Sequence, residues 1–509
     1  MSDFDGTLNP SAGWPDVPQA SDVMRLLGGE GGPLNAQAEA LAARTEMLKY
    51  DVNNTTQAQD WGRVGYDTKT ANDNRILVQR GTTFDRIFVY INHYSNFYQQ
   101  WEFTRGGGTG DGFDNNVPTH ANGNMWMLNK IASVIVGPAQ SIAATSASMI
   151  KSGTYSTSGE DVRVDNGYAE TTVFGKTVFL DYIARADGGI INITVDGVLY
   201  GTLDQYNPST GGVLTKVRIA DNLTNANHTI RISTTGTKNP ASSNTIMRLR
   251  TMSGVGLQDW NNVAAFQVFS APMQSGNAVF KISQAAAELA ISSTVNGNQA
   301  WSGAYHKNCY PRVANNQKLH IDGLPVDFSN MTVGTILVAS DLRMQQDLIL
   351  SNGNTPIADV LMQHHFTAEG CNVKTNLTWT YAAKLDRSYQ AMWPSKANRA
   401  ILGGMQAQYS ALGDGSYIWA LPDARNALSY HTVDSWVSGF YSSNEWGMRF
   451  ENPAYKGIYI WDRSTDFKVY LRKFAGVPAV GKKWNSDVTF YIGHCQNTAE
   501  IFDVPAAPR

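Results

Sequence analysis

Residues 190–200 read IINITVDGVLY, and this stretch decides the fold class. Apolar and polar residues alternate along it, with Ile191, Ile193 and Val195 in one set and Asn192, Thr194 and Asp196 in the other. Alternation with a period of two predicts a β-strand that buries one face. Asp196-Gly197 then predicts a type I′ turn, so the stretch is expected to form a hairpin.

The same pattern recurs along the chain. ILVQRGTTFDRIFVYINHY (76–94), HTIRIST (228–234) and CNVKTNLTW (371–379) all predict strands, and Gly and Asn turns separate them without intervening helices. Such spacing favours packed antiparallel sheets. We therefore expect a mainly β protein with two jelly-roll-like β-sandwich domains, a proximal one over 60–268 and a distal one over 271–509.

Composition excludes some classes of partner. The chain has 509 residues, a formal net charge of -3, 16% charged residues and no run of Lys or Arg, so nucleic acid is not an expected partner. Cys309, Cys371 and Cys495 lie too far apart in sequence for a CxxC site, and we expect them to be buried small apolar residues.

Targeting signals are not recognisable in the sequence. The first twenty residues lack the basic and apolar regions of a signal peptide, which predicts synthesis in a cytoplasm. The longest uncharged stretch, 131–150, contains Pro138, Gln140 and several Ser and Thr residues, which makes it too polar for a membrane span. We expect a protein that is not inserted into a membrane.

One strongly helical segment stands apart from the strands. Residues 28–50 read GGEGGPLNAQAEALAARTEMLKY, and Pro33 followed by strong helix formers predicts a helix over 33–52. Leu34, Leu41 and Leu48 recur every seven residues, with Ala38 on the same stripe. So narrow a stripe fits a seam between helices, although it could instead pack on the chain's own core.

No catalytic motif has the correct spacing. A phosphate loop, a GxSxG nucleophile elbow and an HExxH zinc motif are all missing, so we name no catalytic residue, metal or cofactor. His364, His365 and Glu369 form the densest titratable cluster. Adjacent residues of a strand face opposite sides, so at most one histidine could join Glu369, and a histidine satisfied inside the sheet is the expected outcome.

A polar and aromatic segment supplies the candidates for glycan binding. They are Trp393, Trp419, Asp423, Arg425, Asp434, Trp436, Glu445, Trp446, Arg449 and Glu451. Aromatic rings stack on sugar faces while carboxylates, amides and Arg bind hydroxyl groups, although the same mixture also occurs in a large sandwich core with charged rims. Two of these carboxylates could also hydrolyse a glycosidic bond if they lie at a suitable separation.

The stretch GGEGGPLNAQAEALAARTEMLK (28–49) resembles the short helical element near the N-terminus of many phage tail fibres and tailspikes. Residues 167–197 with 228–240 resemble the jelly-roll, carbohydrate-module-like insert of some phage spikes. Residues 364–394 are similar to the large sandwich of galactose-mutarotase-like and polysaccharide-lyase accessory domains.

The resemblance implies a homotrimeric fibre in the virion tail. Residues 1–32 would be the arm that anchors it to a tail or portal-associated protein, and Leu34, Ala38, Leu41 and Leu48 would form a trimeric coiled coil. The distal domain would bind a bacterial surface polysaccharide or an outer-membrane receptor. One alternative is a tailspike enzyme that depolymerises or deacetylates capsule or O-antigen, and a second is a cellular carbohydrate-binding protein.

Overall fold

The computed structural model describes residues 75–82, 85–105, 126–221, 223–269, 289–303, 308–313, 317–368, 370–396, 405–409, 417–421, 427–432, 436–441, 444–450, 457–462, 466–473 and 476–494. In these ranges the chain is mainly β, which confirms the predicted class. The only helical elements there are two 3-10 turns, Val263–Ala265 and Phe328–Asn330. Within the same ranges, no helix has the length and apolar character of a membrane span.

The predicted arm and coiled coil lie outside the described residues. This applies to all four residues of the predicted seam, namely Leu34, Ala38, Leu41 and Leu48. The arm over 1–32, the helix over 33–52 and the trimer therefore stay predictions.

The strands alternate in sequence with short turns and loops. Up to residue 269 the described strands are β1 (Ile76–Arg80), β2 (Asp85–Tyr94), β3 (Phe97–Arg105), β4 (Trp126–Val136), β5 (Ala139–Ala143), β6 (Ile150–Ser158), β7 (Asp161–Gly175), β8 (Thr177–Ala184), β9 (Gly189–Val195), β10 (Val198–Asp204), β11 (Val213–Ala220), β12 (Ala226–Lys238), β13 (Met247–Val255) and β14 (Val268–Phe269).

Beyond residue 269 the described strands are β15 (Ala290–Val295), β16 (Asn298–Gly303), β17 (Cys309–Pro311), β18 (Lys318–Ile321), β19 (Leu324–Val326), β20 (Ile336–Ala339), β21 (Leu342–Asn352), β22 (Thr355–Thr367), β23 (Gly370–Trp379), β24 (Lys384–Lys396), β25 (Met405–Tyr409), β26 (Tyr417–Leu421), β27 (Ala427–Thr432), β28 (Trp436–Tyr441), β29 (Asn444–Phe450), β30 (Gly457–Asp462), β31 (Asp466–Lys473) and β32 (Lys483–His494).

The hairpin predicted at 190–200 is confirmed. Strands β9 and β10 pair in antiparallel fashion on either side of Asp196 and Gly197. Those two residues have φ angles of 50° and 83°, the positive values that a type I′ turn requires. Ile191, Ile193 and Val195 are buried, so the apolar set forms the inner face of the strand as expected.

Strands β5 to β13 form one nine-stranded sheet, which we call the module. Its strands run in the order β10-β9-β12-β7-β13-β8-β11, and they enclose a core that includes Val164, Val173, Leu180, Ile193, Ile232 and Leu249. Tyr200 on edge strand β10 donates a hydrogen bond of 2.7 Å to the carbonyl of Asp221, just beyond edge strand β11. The sheet therefore curls until its two edges meet.

A second sheet, the front sheet, has the order β14-β4-β3-β2-β1-β20. Asn96 attaches the module to it, because its Nδ2 donates to the Val255 carbonyl at 3.0 Å and its Oδ1 accepts from Thr177 Oγ1 at 3.1 Å. Strand β20 comes from beyond residue 271 and pairs with β1. The predicted boundary between 268 and 271 and the division into two sandwiches stay predictions. The front sheet contains strands from both sides of that boundary.

The largest sheet, the long sheet, has the order β19-β18-β21-β22-β23-β32-β29-β28-β25-β26, with β17 also paired to β21. A side sheet, β16-β15-β24-β31-β30-β27, covers part of its inner face. Their joint core includes Ile291, Leu348, Val360, Leu377, Trp379 and Leu385. Cys309 and Cys371 are buried as expected, and Cys495 lies outside the described residues.

The front sheet covers another part of the same inner face. Trp101 packs edge-on against Phe366 with ring centroids 5.7 Å apart, and Phe103 packs on His364 at 4.7 Å. Gln346, only 1% exposed, joins the sheets through its amide. Its Nε2 donates to the carbonyl of Trp126, and its Oε1 accepts from the Trp126 N–H, both at 2.7 Å.

We expect Gln346→Ala to lower the free energy of unfolding by about 2–4 kcal/mol, because it leaves a buried N–H and a buried carbonyl of Trp126 without their partner. Chemical denaturation of the full chain measures this loss. Gln345→Ala is the matched control, since the neighbouring side chain lies on the outer face, and it should change stability by no more than about 0.5 kcal/mol. Equal effects of the two substitutions would contradict the role given to Gln346.

Candidate functional site

The outer face of the long sheet carries a continuous set of polar side chains. Pairing between strands aligns Arg343, His365, Asn372 and Thr489 in one row and Gln345, Gln363, Lys374 and Asp487 in the next. We call these eight residues the polar face. The intervening residues of each strand are buried in the core, so the alternation of β21 to β23 forces polar side chains to share one side.

Asp341, Arg343 and His365 form a compact titratable group at one end of this face. Asp341 Oδ2 accepts from Arg343 Nε at 3.0 Å and lies 2.8 Å from Arg343 Nη2. Arg343 Nε also lies 3.3 Å from His365 Nε2, and that nitrogen lies 3.4 Å from Asp341 Oδ2. Nitrogens of two different side chains thus lie within 3.4 Å of a single carboxylate oxygen.

The environment of His365 disfavours its charged form. Burial and then the positive charge of Arg343 lower the pKa of His365 from its ordinary value of 6.5, while Asp341 opposes them. The imidazole is therefore neutral at neutral pH. With Arg343 Nε donating to it, His365 Nε2 acts as the acceptor and Nδ1 carries the proton.

A second group of charges lies two strands away from Arg343. Lys374 Nζ is 3.2 Å from Asp487 Oδ2, and Asn372 Nδ2 donates to the other oxygen of that carboxylate at 2.7 Å. Asn372 Nδ2 also lies 3.1 Å from Thr489 Oγ1. These bonds fix the amide, which leaves its Oδ1 without a hydrogen-bond partner among the described residues.

Exposure differs between the cations and the carboxylates. The side chains of Arg343 and Lys374 are 48% and 50% exposed, whereas those of Asp341 and Asp487 are 17% and 28% exposed. Lys318, paired with Gln345 on the adjacent strand β18, adds a third exposed cation. The positive groups therefore project outward, and the negative groups lie behind them.

The other end of the face carries one cation and two carboxylates. Arg312 forms ion pairs with both Asp347, at 3.2 Å, and Asp359. Because one guanidinium is shared by two carboxylates, the three groups keep one negative charge in excess. Arg343 and Lys374, at the opposite end, each form an ion pair with one carboxylate only among the described residues.

The predicted glycan-binding residues divide into two groups. The backbone is described, without the side chains, for Trp393 on β24, Trp419 on β26, Trp436 on β28, and Glu445, Trp446 and Arg449 on β29. Asp423, Arg425, Asp434 and Glu451 lie outside the described residues. The structure thus leaves their joint role as a prediction.

Two of the predicted positions continue a row of the polar face. The backbone of Thr489 pairs with that of Arg449, which pairs in turn with Trp436. Trp436 and Arg449 therefore lie at register positions in line with Arg343, His365, Asn372 and Thr489. This alignment is not visible in the sequence, because it depends on β32, which pairs with β23 on one side and with β29 on the other.

The prediction that adjacent histidines face opposite sides is confirmed. His364 is fully buried and packs on Phe103, whereas His365 belongs to the polar face. Glu369 lies outside the described residues. Among the residues that the structure describes, no group of three or more His, Cys, Asp or Glu side chains is placed to hold a metal ion.

Sequence reasoning missed Arg343, Gln345, Gln363 and Asp487 as site residues. The available signal was the polar half of each alternating strand, such as Asn372 and Lys374 in CNVKTNLTW. Alternation marks the exposed side of a strand, but it does not show which strands lie next to one another. Only the pairing of β21, β22, β23 and β32 assembles these residues into one surface.

The module offers two further polar arrangements, and both have a structural explanation. Arg231 lies 4.3 Å from the ring centroid of Tyr168 and bonds to Glu170, so it occupies the ring face that a sugar would need. His228 Nδ1 lies 2.7 Å from Asp196 Oδ2, but its Nε2 lies 2.9 Å from the carbonyl of Thr224. Both ring nitrogens of His228 thus have partners within the module, and the His228–Asp196 contact holds the hairpin turn against β12.

Comparison with known proteins adds distant likenesses. No family model matches the chain, and no curated protein does. A two-domain esterase active on acetylated mannans, co-crystallised with mannopentaose, is 15% identical with a TM-score of 0.20, over 23% of this chain and 37% of its own. A family two carbohydrate esterase from Cellvibrio japonicus is 13% identical with a TM-score of 0.20, over 24% of this chain and 35% of its own.

A GH36 alpha-galactosidase from Geobacillus stearothermophilus is 9% identical with a TM-score of 0.27, over 40% of this chain and 30% of its own. The matched part of the chain thus spans about a third of the length of these structures. Scores this low assign the chain neither a fold family nor an activity, and the case for function depends on the polar face.

Proposed function

We propose that this protein recognises a bacterial surface polysaccharide through the polar face of the long sheet and serves as a phage tail fibre. The observation that carries the proposal is the polar face itself, where the amides of Gln345 and Gln363 lie between charged groups. Sugars expose hydroxyl groups that need both donors and acceptors, and amide side chains supply both from one position.

The position of the face on a sheet favours recognition of an extended ligand. Its residues come from four neighbouring strands, which are about 4.8 Å apart, so the face is a broad surface. Side chains on paired strands hold fixed relative positions, and a rigid arrangement of this kind lowers the cost of ordering the site on binding. A polymer chain lying across the strands could contact several of these side chains together.

The fibre context comes from the resemblance at residues 28–49. In this proposal residues 1–32 attach the protein to a tail or portal-associated protein, and residues 33–52 join three chains. The fibre would belong to the virion tail and be made in the host cytoplasm. Three linked copies of a weak glycan site gain avidity through their high effective concentration, which gives trimerisation a direct purpose.

We expect the double substitution Gln345→Ala and Gln363→Ala to weaken polysaccharide binding about tenfold or more, since it removes two neighbouring amides from the centre of the polar face. An array of purified bacterial capsule and O-antigen polysaccharides first identifies a bound polymer, and interferometry then compares affinities. Asn227→Ala is the matched control, because this exposed asparagine lies on β12 of the module.

Binding that survives the double substitution but falls with Asn227→Ala would move the site to the module. Failure to bind any polysaccharide on the array would contradict glycan recognition altogether.

The fibre architecture predicts a native mass near three times 55.7 kDa. Light scattering measures this mass for the full chain and for a chain that lacks residues 1–52. If the stripe of Leu34, Leu41 and Leu48 joins three helices, the deletion should reduce or abolish the trimer. A monomeric full chain would overturn the fibre and would mean that the stripe packs on its own chain.

A further inference from the structure

We propose that the polar face selects glycans that carry carboxylate groups, and that protonation of His365 strengthens binding by releasing Arg343 from Asp341. This inference rests on the proposed function, because it specifies the ligand class and the regulation of the same face.

The cations of the polar face project further into solvent than its carboxylates do. The cations Lys318, Arg343 and Lys374 are more exposed than the neighbouring carboxylates Asp341 and Asp487, and a third carboxylate, Asp322, accepts hydrogen bonds from the N–H groups of Ser340 and Asp341. A ligand that approaches the face therefore meets positive groups first. A carboxylate on the ligand can bind them, whereas a second cation would be repelled.

Where the structure describes them, the central strands of the polar face offer hydrogen bonds and ion pairs to a ligand, but no aromatic rings. The outer positions of β21, β22 and β23 in the described residues hold no Phe, Tyr or Trp, so ring stacking on these strands cannot supply the affinity. Hydrogen bonds between an Arg or Lys and a carboxylate are about twice as strong as neutral ones. A carboxylated sugar therefore gains most from the groups that these strands present.

Arg343 suits a carboxylate better than any other residue of the face. A guanidinium can donate two parallel hydrogen bonds to one carboxylate. At neutral pH Asp341 occupies part of this donor set through contacts at 2.8 and 3.0 Å. Any change that draws Asp341 away from Arg343 makes a donor pair available to a ligand.

Protonation of His365 is such a change. The charged imidazole has a proton on both nitrogens, so Nε2 can no longer accept from Arg343 Nε, which lies 3.3 Å away. The same nitrogen can instead donate to Asp341 Oδ2, 3.4 Å away. Two positive charges then share one carboxylate, and repulsion favours movement of the half-exposed Arg343 towards solvent.

The surroundings of His365 allow this exchange. Arg343 and Asp341 face it from β21 and the turn before it, and Asn372 and Lys374 face it from β23. His320 lies beyond Arg343 in the same row on β18. Protonation changes the total charge of Asp341, Arg343 and His365 from neutral to positive, and Asp341 Oδ1 has no hydrogen-bond partner among the described residues.

The direction of the pH effect follows from His365. Burial and the Arg343 charge hold its pKa below 6.5, so the release of Arg343 occurs as pH falls below that value. Sugar carboxylates have pKa values of about 4 and remain ionised at pH 5.5. Acidification can therefore protonate His365 while the carboxylates of the ligand keep their charge.

The test compares each acidic polymer with its carboxyl-reduced form. Polygalacturonate, alginate and hyaluronan are the acidic probes, and dextran and galactomannan are neutral references. Calorimetry at pH 7.5 should show about tenfold tighter binding of at least one acidic polymer than of its reduced form. That binding should strengthen about threefold further once the pH, lowered stepwise from 7.5, passes below the pKa of His365.

Variants separate the two parts of the inference. Arg343→Gln and Lys374→Gln should remove most of the preference for the acidic form, and His365→Gln should keep the preference and remove its pH dependence. Lys483→Gln is the control, since this exposed lysine lies at the far end of the same sheet face. Equal thermal unfolding curves establish that each variant is folded.

The outcomes distinguish the inference from the proposed function. Equal affinity for acidic and reduced polymers, or retention of neutral polymers alone, would overturn the inference while glycan recognition stands. If the affinity of His365→Gln for the acidic polymer still depends on pH, the proposed release of Arg343 is overturned. Failure to bind any of these polymers together with failure to bind any polysaccharide on the bacterial array would overturn the proposed function, and the inference with it.

Discussion

Burial of one face of strands β21, β22 and β23 along their length is the constraint on which the rest of the structure depends. Side chains of a strand alternate between two faces, so a strand that buries every second residue must expose the others. The side sheet covers one part of the inner face and the front sheet another. With the inner face committed to packing, the outer face is the surface on which these strands can present polar groups.

The same constraint fixes the relative positions of the side chains in the candidate site. Asp341, Arg343 and His365 lie within 3.4 Å of one another because the pairing of β21 with β22 aligns Arg343 with His365. A shift of one residue in register would turn these side chains into the core and bring apolar ones to the surface, at a large cost in hydrophobic burial. Packing of the inner face thus fixes the geometry of the outer face.

Much of the local structure could be predicted from the sequence. Alternation of polar and apolar residues predicted the strands at 190–200 and 371–379, and Asp196-Gly197 predicted the turn between β9 and β10. Both features depend on residues that are neighbours in the chain. The pairing of strands that lie far apart in the chain could not be predicted from the sequence. Strand β20 joins β1, and Thr489 aligns with Asn372 on one side and Arg449 on the other, through contacts that no local pattern records. The site was missed for that reason, although its exposed residues were visible.

The central claim is that the ligand lies on the polar face, and lysine footprinting tests it most directly. The chain is acylated with and without a bound polyuronate, and mass spectrometry follows Lys374, Lys318 and, on the module, the exposed Lys238. The account predicts that the ligand protects Lys374 and Lys318 while Lys238 reacts unchanged. Protection of Lys238 with full reactivity at Lys374 would contradict it.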